Sequence, residues 1–241
     1  MQHYFRRLYR RTMREAYQLA HHEAISALQV GGRVLDCGAG SGQLYKETLR
    51  PAGVAADRYC GVEWHAEIVA QAGDLDVRQG DLNQSLPFAD GHFRCVTGLS
   101  VLEHLLKPCA LLRECHRVLE PGGTLVILTP NISTYFTAAL ILAGRMPSSG
   151  PHPDSEQLLE SETMYKISGV EFVRDVDSAT PQHRHLVVFS FLVLRRYLRM
   201  LGFRSVRGHG FGLYPFPNIM QPMLEKLDPF HCHQMVFVAI K

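Results

Sequence analysis

Apolar positions along the chain switch between two periods. Over residues 4–28, Tyr4, Leu8, Met13, Tyr17, Ala20, Ala24 and Leu28 recur at helical spacing until Gly31-Gly32 ends the pattern. A long amphipathic helix is expected there, with Arg6, Arg7, Arg10, Arg11 and Arg14 on its polar face. Short apolar runs bounded by glycine or proline follow, separated by helical stretches. Residues 33–37, 59–63, 75–79, 93–97 and 124–128 predict strands; 41–49, 66–72 and 109–119 predict helices; Pro121-Gly122-Gly123 predicts a turn. Strands that alternate with helices imply crossover units and a parallel sheet. Their near-continuous apolar character implies a sheet covered on both faces.

The alternation breaks over residues 131–180, where Pro, Ser and Gly accumulate. A loop this long inside a compact domain is usually functional, and it reads as an inserted cap with helices near 134–143 and 155–165. Regular structure resumes with a helix over 190–201 and strands over 204–208 and 234–240. The fold class expected is α/β, a doubly wound, mostly parallel seven-stranded sheet. Its parts are an N-terminal helical lid (1–30), an α/β core (31–130), a substrate cap (131–185) and the C-terminal part of the core (186–241).

Composition narrows the classes. Of 241 residues, 46% are hydrophobic and 20% charged, as in a folded globular protein. A net charge of +2 does not call for nucleic acid as a partner. The arginine-rich helix face is read as solvated. The six cysteines form no Cys-x-x-Cys pair and read as reduced core thiols. With no secretory pattern and no apolar run of about 18 residues, a cytoplasmic location without integral membrane association is expected.

The most informative stretch is Val34-Leu35-Asp36-Cys37-Gly38-Ala39-Gly40-Ser41-Gly42. Glycines at alternate positions between a buried strand and a helix permit a tight turn and close approach of a ligand to the backbone. The helix N-terminus beyond them is expected to offer free N–H groups to an anion. The second strand ends at Glu63, placed to accept from both hydroxyls of a ribose, and the third at Asp81, placed to accept from an adenine amine. The dinucleotide fingerprint requires a small residue at position 43; Gln43 departs from it.

Residues 34–42, Glu63, Gly80-Asp81-Leu82 and residues 118–123 together resemble the class I S-adenosylmethionine-dependent methyltransferases over about residues 30–130. Leu102-Glu103-His104-Leu105, Thr129-Pro130-Asn131 and the segment from Phe189-Ser190 to Gly202-Phe203 resemble the branch that serves ubiquinone, methionine-pathway and secondary-metabolite synthesis. The resemblance implies S-adenosylmethionine as cofactor. Gly38, Ala39, Gly40 and Gly42 would let the backbone approach its methionine part, and Asp36 would order that loop. Glu63 would hold the ribose, Asp81 the adenine amine with Leu82 beside the ring, and Leu99 and Ser100 would lie near the sulfonium. Trp64 either packs on the adenine face or belongs to the core.

Methyl transfer from a sulfonium is an in-line displacement in which the protein mainly aligns the reactants. A base is needed only for a protonated acceptor; His104, His183 and His185 are the candidates, each weighed against a packing role. Some related enzymes bind a divalent ion through Glu-x-x-Glu-His at this place. Here Ser100 replaces the first Glu and leaves two ligands, so no catalytic metal is expected. The acceptor expected is a small organic molecule, apolar or lipid-like, selected by residues 131–180. The alternatives are a non-catalytic S-adenosylmethionine-binding partner protein and, disfavoured by Gln43, an NAD(P)-dependent oxidoreductase. Oligomeric state is not legible.

Overall fold

The computed structural model describes residues 2–147, 149–153, 155, 157–158 and 184–241. The expected helix near 155–165 falls largely outside these residues, and His183 wholly so. Helix α1 (Gln2–Leu28) precedes strand β1 (Val34–Cys37), β2 (Tyr59–Glu63), a short α2 (Ala66–Val69), β3 (Val77–Gln79) and β4 (Phe93–Leu99). Helix α3 (Pro108–Val118), β5 (Leu119–Pro130), α4 (Tyr135–Leu142), α5 (Phe191–Met200), β6 (Ser205–Phe211), α6 (Gln221–Leu227) and β7 (Gln234–Ile240) complete the fold. The seven strands form one sheet in the order β3-β2-β1-β4-β5-β7-β6. Neighbours from β3 to β5 are parallel, and β7 runs antiparallel to both β5 and β6. Among the described residues no helix is long and apolar enough to cross a membrane.

Alternate residues on each strand feed opposite cores, because side chains alternate across a sheet. Leu125, Ile127, Met235 and Phe237 join Leu111, Leu112 and Leu194 of α3 and α5 on one face. Val34, Val126, Leu128, Val236 and Val238 meet α1 on the other. The contact residues of α1 are Ala16, Ala20 and Ala24, all fully buried. Methyl-sized side chains four residues apart let the helix axis approach the sheet closely. The helix read from sequence as a lid is therefore seated on the sheet as part of its core. Arg11 also leaves the solvated face assigned to it: it pairs with Glu15 at 2.6 Å and Glu225 at 3.0 Å, whereas Arg6, Arg7, Arg10 and Arg14 are exposed.

Two local expectations gain detail. The helix expected over 41–49 forms over residues 43–49 and is π-helical over Tyr45–Leu49, where Arg50 N–H donates to Tyr45 O at 2.9 Å. The turn at Pro121-Gly122-Gly123 lies inside β5, as an excursion where pairing jumps from Phe93↔Leu119 to Cys95↔Thr124. Gly122 there has φ +79°. Asn131, just past β5, fixes the C-terminal half. Its amide donates to the carbonyls of Phe230 and Cys232, both at 2.8 Å, and its carbonyl accepts from Ser133 and Phe191 N–H at 3.0 and 3.2 Å.

Candidate active site

The strand order reverses between β1 and β4, and the crevice at their carboxyl ends is where open α/β sheets bind ligands. Past β1 the chain turns through Gly38, Gly40 and Gly42 at φ 75°, 55° and 86°, a left-handed backbone that side chains disfavour. The N–H groups of Gly38 and Ala39 donate to Val62 O at 2.9 and 3.1 Å, and that of Gly42 to Ala39 O at 2.9 Å. Gly40 N–H donates to Glu63 Oε2 at 3.0 Å, and His65 N–H to Glu63 Oε1 at 3.1 Å. Glycine loop and acidic partner are thus one hydrogen-bonded unit. The N–H groups of Gly38, Ala39, Gly40 and Gly42 are engaged inside the protein. Glu63 keeps about half of a carboxylate's roughly four acceptor positions for a ligand.

Asp36 lies beneath the loop, buried, accepting from Tyr59 O–H at 3.0 Å and Thr97 O–H at 2.8 Å. Burial pushes its pKa up to about 6, against the opposing effect of the Thr97 and Tyr59 hydrogen bonds. Above it opens a cavity of about 340 Å³ whose walls include Asp36, Gly38, Ala39, Gly40 and Leu99 and, from α1, Tyr17 and His21. Tyr17 O–H donates to Ser100 Oγ at 3.3 Å, and His21 Nδ1 lies 3.1 Å from Thr48 Oγ1. Ser100 has φ 56°, the one non-glycine with left-handed backbone among the described residues. In the sequence Tyr17 marks only an apolar position of a helix and His21 carries no signal of its own, since helical spacing marks a buried stripe but not the end of it that faces a cavity.

The remaining expected cofactor residues stand beyond this cavity. Asp81 Oδ1 accepts from Asn83 N–H at 2.8 Å and from its side-chain amide at 2.9 Å, so Oδ2 is the oxygen left for a ligand. Leu82 is buried in the α3 face of the core. Trp64 is 52% exposed beside Glu63, which removes simple core packing as its role.

A second cluster follows β4, three residues past Ser100. Glu103 is buried and accepts from Thr129 O–H at 3.0 Å; burial lifts its pKa to about 7. His104 Nε2 lies 3.9 Å from Glu103 Oε1, and its Nδ1 is 3.0 Å from Arg184 O. The His185 ring is 5.4 Å from that of His104, and its Nδ1 is 3.3 Å from Ser149 O. Burial, with His152 and His104 nearby, pushes the His185 pKa down to about 3. The structure therefore brings together His104 and His185, two of the histidines singled out from sequence. It also changes the ligand count behind the expectation of no metal: Glu103, His104 and His185 offer three donor atoms within 4.8 Å of one another.

In the expected cap, α4 is capped by Thr134, whose Oγ1 accepts from Thr137 N–H at 2.9 Å. Its apolar Tyr135, Ile141 and Leu142 are exposed, so they are not part of a cap core among the described residues.

Residues 9–207 match a family described as a methyltransferase domain. Among curated proteins, a probable S-adenosylmethionine-dependent methyltransferase of Mycolicibacterium smegmatis is 33% identical over 129 residues, 50% of this chain and 48% of that protein. A ubiquinone biosynthesis O-methyltransferase of Xanthomonas oryzae is 32% identical over 42% of this chain and 44% of its own. The chain thus spans about half the length of these relatives. Among solved structures, a SAM-dependent methyltransferase from Archaeoglobus fulgidus aligns over 95% of this chain and 94% of its own, with a TM-score of 0.58 at 19% identity. The [4+2]-cyclase SpnF aligns over 93% of this chain and 80% of its own, with a TM-score of 0.56 at 19% identity. Both likenesses are likenesses of fold.

Proposed function

The chain belongs to the methyltransferase-domain family, whose cofactor is S-adenosylmethionine, and from that premise we propose that it methylates a small organic acceptor, apolar or lipid-like, by in-line displacement. The observation that carries this reading is the Gly40–Glu63 hydrogen bond, which joins loop and acidic residue beside the cavity over Asp36. Bound S-adenosylmethionine supplies a methyl group already activated on a sulfonium, so the protein's task is alignment and exclusion of water.

The chain's own groups divide that task. Glu63 takes the ribose hydroxyls with its remaining lone pairs, Asp81 Oδ2 takes the adenine amine, and Trp64 covers the open face of the ring. Asp36, held by Tyr59 and Thr97, keeps β1 and the loop in register. Tyr17, Leu99 and Ser100 wall the reacting end. An acceptor hydroxyl must lose its proton, and the groups for that are His104 and His185, clustered with Glu103. Support for a small oxygen acceptor comes from the Xanthomonas relative, named for ubiquinone O-methylation; a net charge of +2 argues against a nucleic acid.

Calorimetric titration with S-adenosylmethionine tests the reading. Wild type is expected to bind in the micromolar range, and Glu63→Ala at least tenfold more weakly, about 1.4 kcal/mol. Equal affinity in the two proteins refutes the site. Turnover is then followed as S-adenosylhomocysteine released with phenolic and quinol acceptors. Tight binding without turnover on any acceptor favours a non-catalytic partner protein.

A further inference from the structure

We propose that Tyr9 of α1 binds the acceptor, its hydroxyl holding an acceptor oxygen other than the one methylated. The inference rests on the methyl transfer proposed above and narrows its acceptor to a molecule with at least two oxygen functions.

Residues four apart form ridges along a helix. On α1 the ridge of Ala16, Ala20 and Ala24 closes on the sheet. Arg11 and Glu23, paired with Glu225 and Arg207, mark the flank toward α6 and β6. The other flank carries Tyr9, Met13, Tyr17 and His21. Its C-terminal half walls the cavity over Asp36 through Tyr17 and His21. Its N-terminal half continues toward the Glu103 side of the rim. There the Tyr9 ring meets that of His233 edge-on, with centroids 5.9 Å apart at 71°. His233 is fixed behind it, with Nδ1 3.3 Å from Ser149 Oγ. Tyr9 is no surface group: burial, with Tyr17 and Glu103 nearby, raises its pKa.

Its hydroxyl is the exception among the tyrosines. In the interior Tyr17 donates to Ser100, Tyr45 to Val54 O, Tyr59 to Asp36 and Tyr214 to Thr12. Nearer the surface Tyr4, Tyr135 and Tyr197 donate as well. Tyr9 alone has no hydrogen-bond partner for its hydroxyl among the described residues. Buried polar groups are normally satisfied, so an open one calls for a reason. A ring held by packing with its hydroxyl open presents a donor and an acceptor to a ligand.

Tyr9 precedes Tyr17 by about 12 Å along the helix axis, and side chains on one helix lean the same way. The oxygen that Tyr9 takes is therefore set apart from the one placed against the sulfonium. A site built to hydrogen-bond a substrate oxygen discriminates strongly against the analogue that lacks it.

The test uses the full chain with S-adenosylmethionine and two acceptor pairs of different reach: hydroquinone against 4-methylphenol, and 4,4′-dihydroxybiphenyl against 4-hydroxybiphenyl. Wild type is expected to prefer the dioxygenated member of a pair at least tenfold in kcat/KM. Tyr9→Phe keeps the ring on His233 and removes only the hydroxyl. It should raise KM for the dioxygenated member at least tenfold and leave KM for the monophenol and the affinity for S-adenosylmethionine unchanged. It should also melt no lower than wild type. Tyr45→Phe, which removes a hydroxyl that has a partner, should melt lower and keep the preference. Turnover with the preference intact in Tyr9→Phe overturns this proposal alone, as does a fall in its melting temperature like that of Tyr45→Phe. A wild type that binds cofactor yet turns over no member of either pair overturns the acceptor reading above and this proposal with it.

Discussion

The two sides of the sheet's carboxyl rim hold their polar groups in different ways. On the β1–β3 side, Glu63 is held by main-chain N–H groups, Gly40 across 23 residues and His65 across two. On the β4–β5 side, Glu103 is held by the Thr129 side chain across 26 residues, and its neighbour His104 by a carbonyl 80 residues away. The first side is a local construction of loop and strand end, half exposed to a ligand. The second is a buried junction where distant parts of the chain converge. Under the proposed function, a side chain lost from the first removes a contact with a ligand, whereas one lost from the second leaves buried partners unpaired.

The largest effect that sharpens this contrast is expected at Asn131, the pivot of the second side. Asn131→Ala leaves four backbone groups without a partner and should lower unfolding free energy by about 3 kcal/mol or more in urea titrations. Next comes Asp36, which sits under the first side but is buried like the second. Its folded-state pKa, about 6, stands above the ordinary 3.8, so the folded chain binds the proton more tightly than the unfolded one. Its contribution to stability is greatest below about pH 4, declines between about pH 4 and 6, and at neutral pH is unfavourable by up to about 3 kcal/mol. Asp36→Asn, which like the protonated acid keeps one acceptor oxygen and donates through its other polar atom to the second hydroxyl, should therefore melt higher than wild type at pH 7–8, the gap closing near pH 4. A constant gap across that range would contradict the assignment.

Ala20→Leu forces a branched side chain between α1 and the sheet and should destabilise by about 2 kcal/mol, read as a fall in melting temperature. Smallest in stability is Glu63→Ala, within about 1 kcal/mol of wild type although its cofactor affinity falls at least tenfold. If Glu63→Ala unfolds the protein as readily as Asn131→Ala, the contrast between the two sides fails.

The same contrast explains what the sequence reveals. Strands β2 and β7 match their expected ranges, because a buried strand announces itself as a run of apolar residues between breakers. The loop and Glu63 are legible because residue type and short spacing define them. The helix expected over 41–49 forms, but helical spacing does not reveal that its second part is the π-helical segment that Arg50 N–H closes on Tyr45. Pro121-Gly122-Gly123 reads as a turn, and the chain does turn there, but pairing with β4 resumes on both sides of it. Helix α6 escaped notice because its seven residues include Pro222 and show no clear apolar stripe. Tyr17, His21 and the meeting of His104 with His185 depend on contacts between distant segments, which no local pattern encodes.

Helix α1 carries one more consequence. Its alanine face is closed against the centre of the sheet while Tyr17 and His21, on the same helix, wall the cavity. Amide hydrogens around residues 16–24 should exchange with solvent only when the whole domain opens, placing them in the slowest class. That wall then stays still on the timescale of ligand traffic, and entry and exit fall to other segments of the rim.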